Sequence, residues 1–508
     1  MFFTSLIWGA GIYWVAIHPP MIDLPQHASQ VVLLRDMLAG ESPWERLVYV
    51  NLWTPYLIGY GLALSLSTVM PVTLALKLLL SLAYLGFVAL CVLLRRHFDG
   101  DPRLDWLFLF GSVSFASQWG FFTFLVSAPI ALAFILVADR YGQRLSLARG
   151  AIVLALGLLL LISHGLAFVF AWLIGAALLI ARAWPRARRL AAALAPHALL
   201  GLACLLYFLR SRRLEAALGA PEGDLVWSQN VWRPVQVFSY SIGATHEAWM
   251  VVAIVLLLCA PWLLGLRIAW RSPSKWLPFA AVLVVLLATP AEAFATAFLY
   301  HRFAMFLLPA YAWMFTLPAR PTPGAHGPVL RQLAAAALMA LTCWAVLGVH
   351  TLRAWRFDKE EADFRAVLAA VAPGERALGL IFDRGSDAAH HWGTYVHQAS
   401  WYQAEKGGFV DFNFAWFAPQ VARFRPGMGP PVKHMFEWYP ERFDWQTHRG
   451  RDYRYFFVRR GPRMPPNLFE AADCAPLETA RSGLWTVYER QACPSSTAPS
   501  DRASPGPT

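Results

Sequence analysis

The sequence predicts a polytopic all-α membrane bundle of about eleven transmembrane helices, carrying a small extramembrane α/β domain at its C-terminus. Three observations predict it. Of 508 residues, 57% are hydrophobic and 15% charged, against roughly 25% charged in an ordinary soluble domain; no single core could hide that much apolar surface. The apolar residues fall in blocks of about 16 to 24, long enough for a helix to cross a hydrocarbon layer of about 30 Å. The blocks stop near His350, and the rest has the mixed composition of a soluble domain.

The expected spans are 2–17, 54–69, 72–94, 104–118, 120–138, 151–180, 190–209, 251–266, 276–287, 303–317 and 333–349. The first has no basic n-region and no small-residue cleavage site, so it reads as a retained span rather than a removed signal peptide. Block 151–180 is too long for one untilted span; it is either tilted or broken at Ser163-His164-Gly165. The division that follows is a transmembrane unit over 1–350 with large external loops at 19–53 and 210–248, an external α/β domain over 351–493, and a disordered tail at 494–508, rich in Pro, Ser and Ala. No internal repeat is visible.

Arginines set the orientation. Arg182, Arg186, Arg188 and Arg189 make the strongest basic loop and should be cytoplasmic. Arg267, Arg271 and Lys275 mark a second such loop, and Arg320 with Arg331 a third. Counting outward from these puts the first loop and the C-terminal domain outside. The same count also puts Arg95, Arg96, Arg103, Arg140, Arg144 and Arg149 outside, against the positive-inside bias. Reading 151–180 as a hairpin moves them inside, but moves the first loop inside too.

In the first loop, residues 25–38 form an amphipathic stretch with Pro25 suited to a first helical turn. The last domain opens with an amphipathic helix over 359–371, closed by Pro373-Gly374, and strands are expected at 377–382, 453–458 and 484–488. Cys91, Cys204, Cys259 and Cys343 lie in apolar blocks as small hydrophobes. Cys474 and Cys493 alone lie in the soluble part; a pair would suit an oxidising compartment such as a bacterial periplasm, and two free thiols are the alternative. The net charge of +12 falls between apolar blocks, where lipid headgroups account for it, so membrane lipids rather than nucleic acid are the expected partners.

Asp23, in Ile22-Asp23-Leu24-Pro25-Gln26-His27, follows the first span at the membrane edge. A carboxylate there can act as general base towards a hydroxyl, with His27 near it one helical turn on. The competing reading is a helix cap, since Asp before a proline-started helix is a favoured N-cap. Arg302, beside His301 at the start of a span, is costly without a partner and suits an anion; snorkelling to headgroups is the alternative. Arg210, Arg212 and Arg213 cluster at an external span end and suit a phosphate, from a specific ligand or from lipid. Arg233 is a weaker case of the same kind. His164 lies mid-span, where it either hydrogen-bonds within the bundle or serves the site. Adjacent His390 and His391 near Asp387 lack metal-ligand spacing, so no metal is expected. Without a Gly-rich phosphate loop or dinucleotide fingerprint, no nucleotide cofactor is expected either.

The chain resembles the integral-membrane glycosyltransferases of the GT-C type, bacterial members of which often read Asp-Leu-Pro-Asn-His after the first span. Here the residues are Asp23-Leu24-Pro25-Gln26-His27. Gln118-Trp119-Gly120-Phe121-Phe122-Thr123-Phe124, with Pro129 after it, is similar to a Gly-Phe-x-Asn-Phe segment of such proteins. Ser163-His164-Gly165 resembles their mid-span His-Pro, and Tyr300-His301-Arg302-Phe303, with Pro309, a late His-Arg-Phe. Tyr402 to Gly408 resembles an aromatic segment ending in Gly-Gly. This chain departs from the pattern in having no Asp-x-Asp pair in the first loop, Gln26 in place of Asn, and Thr123 in the second Asn position.

The resemblance implies transfer of a sugar from a polyprenyl-phosphate carrier to a lipid or glycan acceptor on the external face of a bacterial inner membrane. Asp23 would be the base, with His27 beside it. Arg302, His301, Arg210, Arg212, Arg213 and His164 would hold the donor and its departing phosphate. A transporter or flippase of lipid-linked saccharides would instead show two similar halves and a mid-membrane site. A polymerase or ligase would carry its site in a late loop.

Overall fold

The fold was obtained as a computed structural model, which describes residues 1–217, 224–317, 327–433 and 435–493. The expected tail 494–508 and Arg320 lie outside the described residues. In chain order the helices are α1 (Phe2–Gly11), α2 (Leu24–Ala39), α3 (Leu57–Ser67), α4 (Val72–His97), α5 (Phe115–Trp119), α6 (Phe122–Gln143), α7 (Leu147–Ser163), α8 (Gly165–Ala183), α9 (Ala187–Ala217), α10 (Arg233–Ser239), α11 (Ala248–Leu263), α12 (Pro273–Ala288), α13 (Leu307–Trp313), α14 (Gly327–Ala369) and α15 (Ser400–Lys406). The strands are β1 (Val48–Val50), β2 (Arg267–Ile268), β3 (Phe315–Thr316), β4 (Arg376–Ile381), β5 (Phe409–Asp411), β6 (Ala422–Phe424), β7 (Tyr455–Arg459), β8 (Pro476–Ser482) and β9 (Trp485–Arg490). The chain is therefore mostly helical. Among the described residues, α4, α6, α8, α9 and α14 are long and apolar enough to cross a membrane, and α3, α7, α11 and α12 are shorter apolar helices.

Several expected spans take a different form. Block 151–180 takes the second of its two expected forms, broken at Ser163-His164-Gly165 rather than tilted. Its backbone breaks at His164, which is extended (φ −167°, ψ 114°). Gly157 of α7 and Gly175 of α8 both face Phe134 of α6, so the two halves lie side by side as a hairpin. The expected span 54–69 is represented by α3, whose 11 residues rise only about 16 Å, roughly half a bilayer core. Block 104–118 is a 3-10 segment, Pro102–Ser112, followed by α5. Block 303–317 is a 3-10 turn, His301–Phe306, leading into the buried α13. Cys259, expected inside, is exposed on α11.

One face of the bundle gathers the basic chain ends. Asp139 at the end of α6 accepts from His97 of α4 at 2.7 Å and from Arg182 of α8 at 2.6 Å. Arg149 of α7 donates to the carbonyl of Arg140, and Arg189 of α9 to that of Gly142. At the far end of α4, Lys77 donates to the carbonyl of Ala16, just before the first loop.

The first loop and the C-terminal domain form one body. β1 pairs antiparallel with β6, Tyr49 opposite Arg423. α2 starts with Pro25 in its first turn and ends at Gly40 (φ +70°). It is not an amphipathic surface helix: residues 24–34 are all buried. Its polar face is covered because the domain supplies partners, Gln26 bonding to Phe412 and Phe414 and Gln30 to Ala422. His18 is clamped between Glu361 and Glu405, 2.6 Å to each, and stacks on Trp401.

No break separates the bundle from the domain at 350. α14 runs unbroken for 43 residues, about 65 Å, and carries the expected helix 359–371 as its last turns. It packs through Phe364 on Phe457 and Trp485. These belong to a five-stranded sheet of order β5-β4-β7-β9-β8, in which β4 runs parallel to β5 and β7, and β9 antiparallel to β7 and β8. The three expected strands are β4, β7 and β9. Cys474 and Cys493 are joined in a disulfide.

Candidate functional site

Asp23 ends the first loop's approach to α2. Its backbone N–H donates to the carbonyl of Trp119 at 2.8 Å, and Ile22 donates to Gln118 at 3.3 Å. The Gln118-Trp119-Gly120 segment is thus the shelf on which Asp23 rests. Gly120 sits at φ +86°, and a Cβ there would lie 3.0 Å from the backbone nitrogens of both Asp23 and Leu24. Only glycine satisfies the conformation and the close approach together.

Asp23 occupies the N-cap position of α2, yet its side chain makes no capping hydrogen bond. The cap reading therefore does not describe it. The side chain is 12% exposed, and its Oδ1 stands 3.4 Å from Nε2 of His397. Burial raises its pKa well above the usual range for Asp, opposed by the charge of Arg302 and reinforced by that of Glu437.

The tautomer of His397 follows from its neighbours. Phe414 N–H donates to Gln26 Oε1 at 3.0 Å, which turns the Gln26 amide nitrogen towards the carbonyl of Phe412 (3.2 Å) and Nδ1 of His397 (3.4 Å). His397 Nδ1 is then an acceptor, and its N–H points to Asp23. Burial pulls the His397 pKa down to about 3, so the ring is neutral.

Asp23 lines a cavity of about 150 Å³ together with His27, Tyr56, Trp119, Thr123, His164, Arg302, His397, Glu437 and Trp438 among others. Arg302 is 5% exposed. Its guanidinium donates to the carbonyls of Ala297 (2.7 Å) and Phe298 (3.2 Å) and lies 4.1 Å from the centre of the Phe121 ring. Among the described residues no carboxylate forms an ion pair with it, so its buried positive charge is met by Asp23 at a distance, across the same cavity. Against this cavity lies a larger apolar groove of about 530 Å³. Tyr56, His164, Ala295, Thr296, Trp416 and Phe417 line both. The arrangement sets a buried carboxylate and a buried guanidinium in one cavity, with an apolar groove beside them.

No family model matches the chain, and no curated protein does. Among solved structures the chain is similar to ArnT from Cupriavidus metallidurans, solved bound to undecaprenyl phosphate. The TM-score is 0.53 and the identity 12%, over 96% of each chain. The chain has a GT-C-type fold.

Within this GT-C fold the expected site residues are distributed unevenly. Asp23, His27, His164 and Arg302 share the cavity. His27 does not turn to Asp23; its Nδ1 is 2.6 Å from the Tyr60 hydroxyl, which in turn donates to Gln420 at 2.6 Å. Burial, with the neighbouring His397, pulls its pKa down to about 3, so it is neutral. His164 is not mid-span but at the hairpin tip, where its Nδ1 accepts the N–H of Ala167 as the N-cap of α8. His301 lies outside the cavity, stacked on Tyr300 at 3.8 Å and packed against Tyr240 and Phe115.

Arg210, Arg212 and Arg213 are on the last turns of α9 rather than in a loop. Arg212 borders the apolar groove and pairs with Glu215 at 3.6 Å. Arg210, stacked over Trp53 at 4.2 Å, and Arg213 border a separate groove of about 710 Å³. None of the three lines the Asp23 cavity. Arg233 is held by the carbonyls of Leu286 and Thr289, and Glu247 is occupied by Arg353. Among the described residues no group of three or more His, Cys, Asp or Glu is placed to hold a metal ion.

Sequence reasoning missed His397 and Glu437. Both come from the C-terminal domain, more than 370 positions beyond Asp23, with no local motif to mark them.

Proposed function

We propose that this chain is a membrane glycosyltransferase that moves a sugar from a polyprenyl-phosphate carrier to a lipid or glycan acceptor on the external face of a bacterial inner membrane. The observation that carries the reading is that Asp23 and Arg302 line one cavity which adjoins a large apolar groove. The groove suits the polyprenyl chain. Arg302 suits the phosphate, and Asp23 lies where an acceptor hydroxyl would meet the sugar. ArnT, the similar solved structure, was bound to undecaprenyl phosphate.

The chemistry follows from these positions. The acceptor oxygen attacks the anomeric carbon of the donor sugar and the bond from that carbon to the phosphate oxygen breaks. The acceptor's proton passes to Asp23. The phosphate leaves as an anion on the polyprenyl chain, its charge stabilised by Arg302. The neutral His397 N–H holds Asp23 in place, and the low polarity around the pair strengthens each interaction.

Orientation is supported by the basic ends collected near Asp139. With 151–180 folded as a hairpin and α3 too short to span, the two changes cancel in the count. The arginines at 95–103, 140–149 and 182–189 then share the cytoplasmic face, in keeping with the positive-inside bias, while the first loop stays external. The Cys474–Cys493 disulfide suits an oxidising periplasm around the C-terminal domain.

The test is reconstitution of the full chain in lipid nanodiscs with undecaprenyl-phosphate-linked sugars and a lipid extract as acceptor, followed by mass spectrometry. Release of undecaprenyl phosphate together with a sugar-bearing acceptor is expected. Failure to bind undecaprenyl phosphate at all would remove the reading.

A further inference from the structure

The cavity has a second carboxylate that the reaction above does not use. Glu437 lies on a short 3-10 turn, Phe436–Trp438, entered through Met435 in the left-handed region (φ +78°). Its Oε2 is buried and has no hydrogen-bond partner. Burial pushes its pKa up to about 7, with the backbone N–H groups of the turn pulling the other way. Among the described residues no cation pairs with it. A buried acceptor without a donor is costly, and such a group in a native fold calls for a partner that arrives later.

The surroundings say what kind of partner. Trp438 and Trp119 line the same cavity. Trp392 bridges them, its ring 5.5 Å from that of Trp438 and 5.9 Å from that of Trp119. Arg384 lies over both Trp392 and Trp438, at 5.8 and 5.3 Å. Trp392 is 52% exposed, so this aromatic wall runs from the cavity to the surface. Flat apolar faces beside a lone acceptor match a molecule with one C–H face and a rim of hydroxyl donors. That is a pyranose or furanose ring, and neither a polyprenyl tail nor a phosphate fits the description.

We propose that Glu437 is the residue that reads the transferred sugar, accepting hydrogen bonds from its hydroxyl groups while the tryptophan wall holds the ring face. The proposal rests on the glycosyl transfer argued above and names the part of the site that meets the sugar. It also separates the roles of the two acids: Asp23 takes the proton, whereas Glu437 holds the sugar ring and determines which sugar is accepted.

The experiment compares the binding of bare undecaprenyl phosphate with that of undecaprenyl phosphate carrying a pentose, a hexose or an amino sugar. Binding is read by tryptophan fluorescence of the full chain in nanodiscs. In the wild type at least one loaded carrier should bind about tenfold more tightly than the bare one. Glu437→Gln keeps the shape of the side chain and should abolish that advantage without weakening the affinity for the bare carrier, since it removes a negative charge from the cavity that takes the phosphate. The proposal is overturned if the advantage survives in Glu437→Gln, if bare and loaded carriers weaken alike, or if no sugar gives an advantage in the wild type. Absence of binding of the bare carrier to the wild type would instead take down the transfer reaction, and this proposal with it.

Discussion

The carboxylate of Asp23 faces the Nε2–H of His397 at 3.4 Å, although the two residues belong to opposite ends of the chain. His397 in turn is oriented by Gln26, three residues after Asp23. The glutamine that departs from the expected Asn thus reaches the acid on its own helix through the C-terminal domain.

His397→Ala should therefore lower the turnover number by about 10- to 100-fold, since misplacing a reacting group by about 1 Å costs that much. Binding of undecaprenyl phosphate should be unchanged, because the neutral His397 carries no charge to hold the phosphate and Arg302 is held by the carbonyls of Ala297 and Phe298 instead. Steady-state transfer kinetics beside lipid-binding measurements check the split. A rise in KM with an intact turnover number would deny the positioning role.

Gly120→Ala should disturb the site from behind. The new Cβ would press on the nitrogens of Asp23 and Leu24, in a conformation that costs a non-glycine residue about 1–3 kcal/mol. Lowered thermal stability together with reduced transfer is expected, and a variant as stable and active as the wild type would show that the shelf is not needed.

Arg302→Ala should weaken binding of undecaprenyl phosphate by about tenfold or more, the loss expected for a charge-assisted hydrogen bond of about 1.5–3 kcal/mol. Arg302→Lys should restore only part of the affinity, because a lysine cannot hold the two carbonyls and a phosphate with one planar fork. Titration of both variants with the bare lipid decides the matter.

His18 predicts a pH dependence of stability. Burial lowers its pKa, but the carboxylates of Glu361 and Glu405 outweigh burial and raise it overall. The folded protein thus holds the proton more tightly than the unfolded chain. The stabilisation is complete below about pH 6.5, the unfolded value, and is lost as pH rises through the raised folded value. The melting temperature should fall over that interval, and His18→Gln should flatten the dependence. A wild-type curve that rises with pH in the same window would contradict the clamp.

Part of the cavity's lining was legible in the sequence where a local constraint left a mark. Asp23 was marked by its place after the first span, and Gln118 to Phe124 by its likeness to a Gly-Phe-x-Asn-Phe segment, whereas the need for Gly120 beneath Asp23 shows only in the fold. Arg302 was marked by its cost as a charge among apolar residues. What the sequence left unmarked depends on distant contacts. His397 and Glu437 enter the cavity only because β1 pairs with β6 and α2 docks against the domain. Hydropathy also could not separate α3, apolar but short, from a span, or choose between a tilted helix and the break at Ser163-His164-Gly165 that the structure shows. Arg210 to Arg213 read as the start of a loop because charges interrupt the apolar block, whereas α9 simply continues through them and sets its arginines along the grooves.

The most direct test of the central claim is the single-turnover rate of sugar transfer by Asp23→Asn, with undecaprenyl phosphate binding measured on the same preparation. A general base contributes roughly 10²- to 10⁴-fold, so the variant should bind the lipid normally and lose at least a hundredfold in rate. An Asp23→Asn protein that transfers sugar at the wild-type rate would contradict the account.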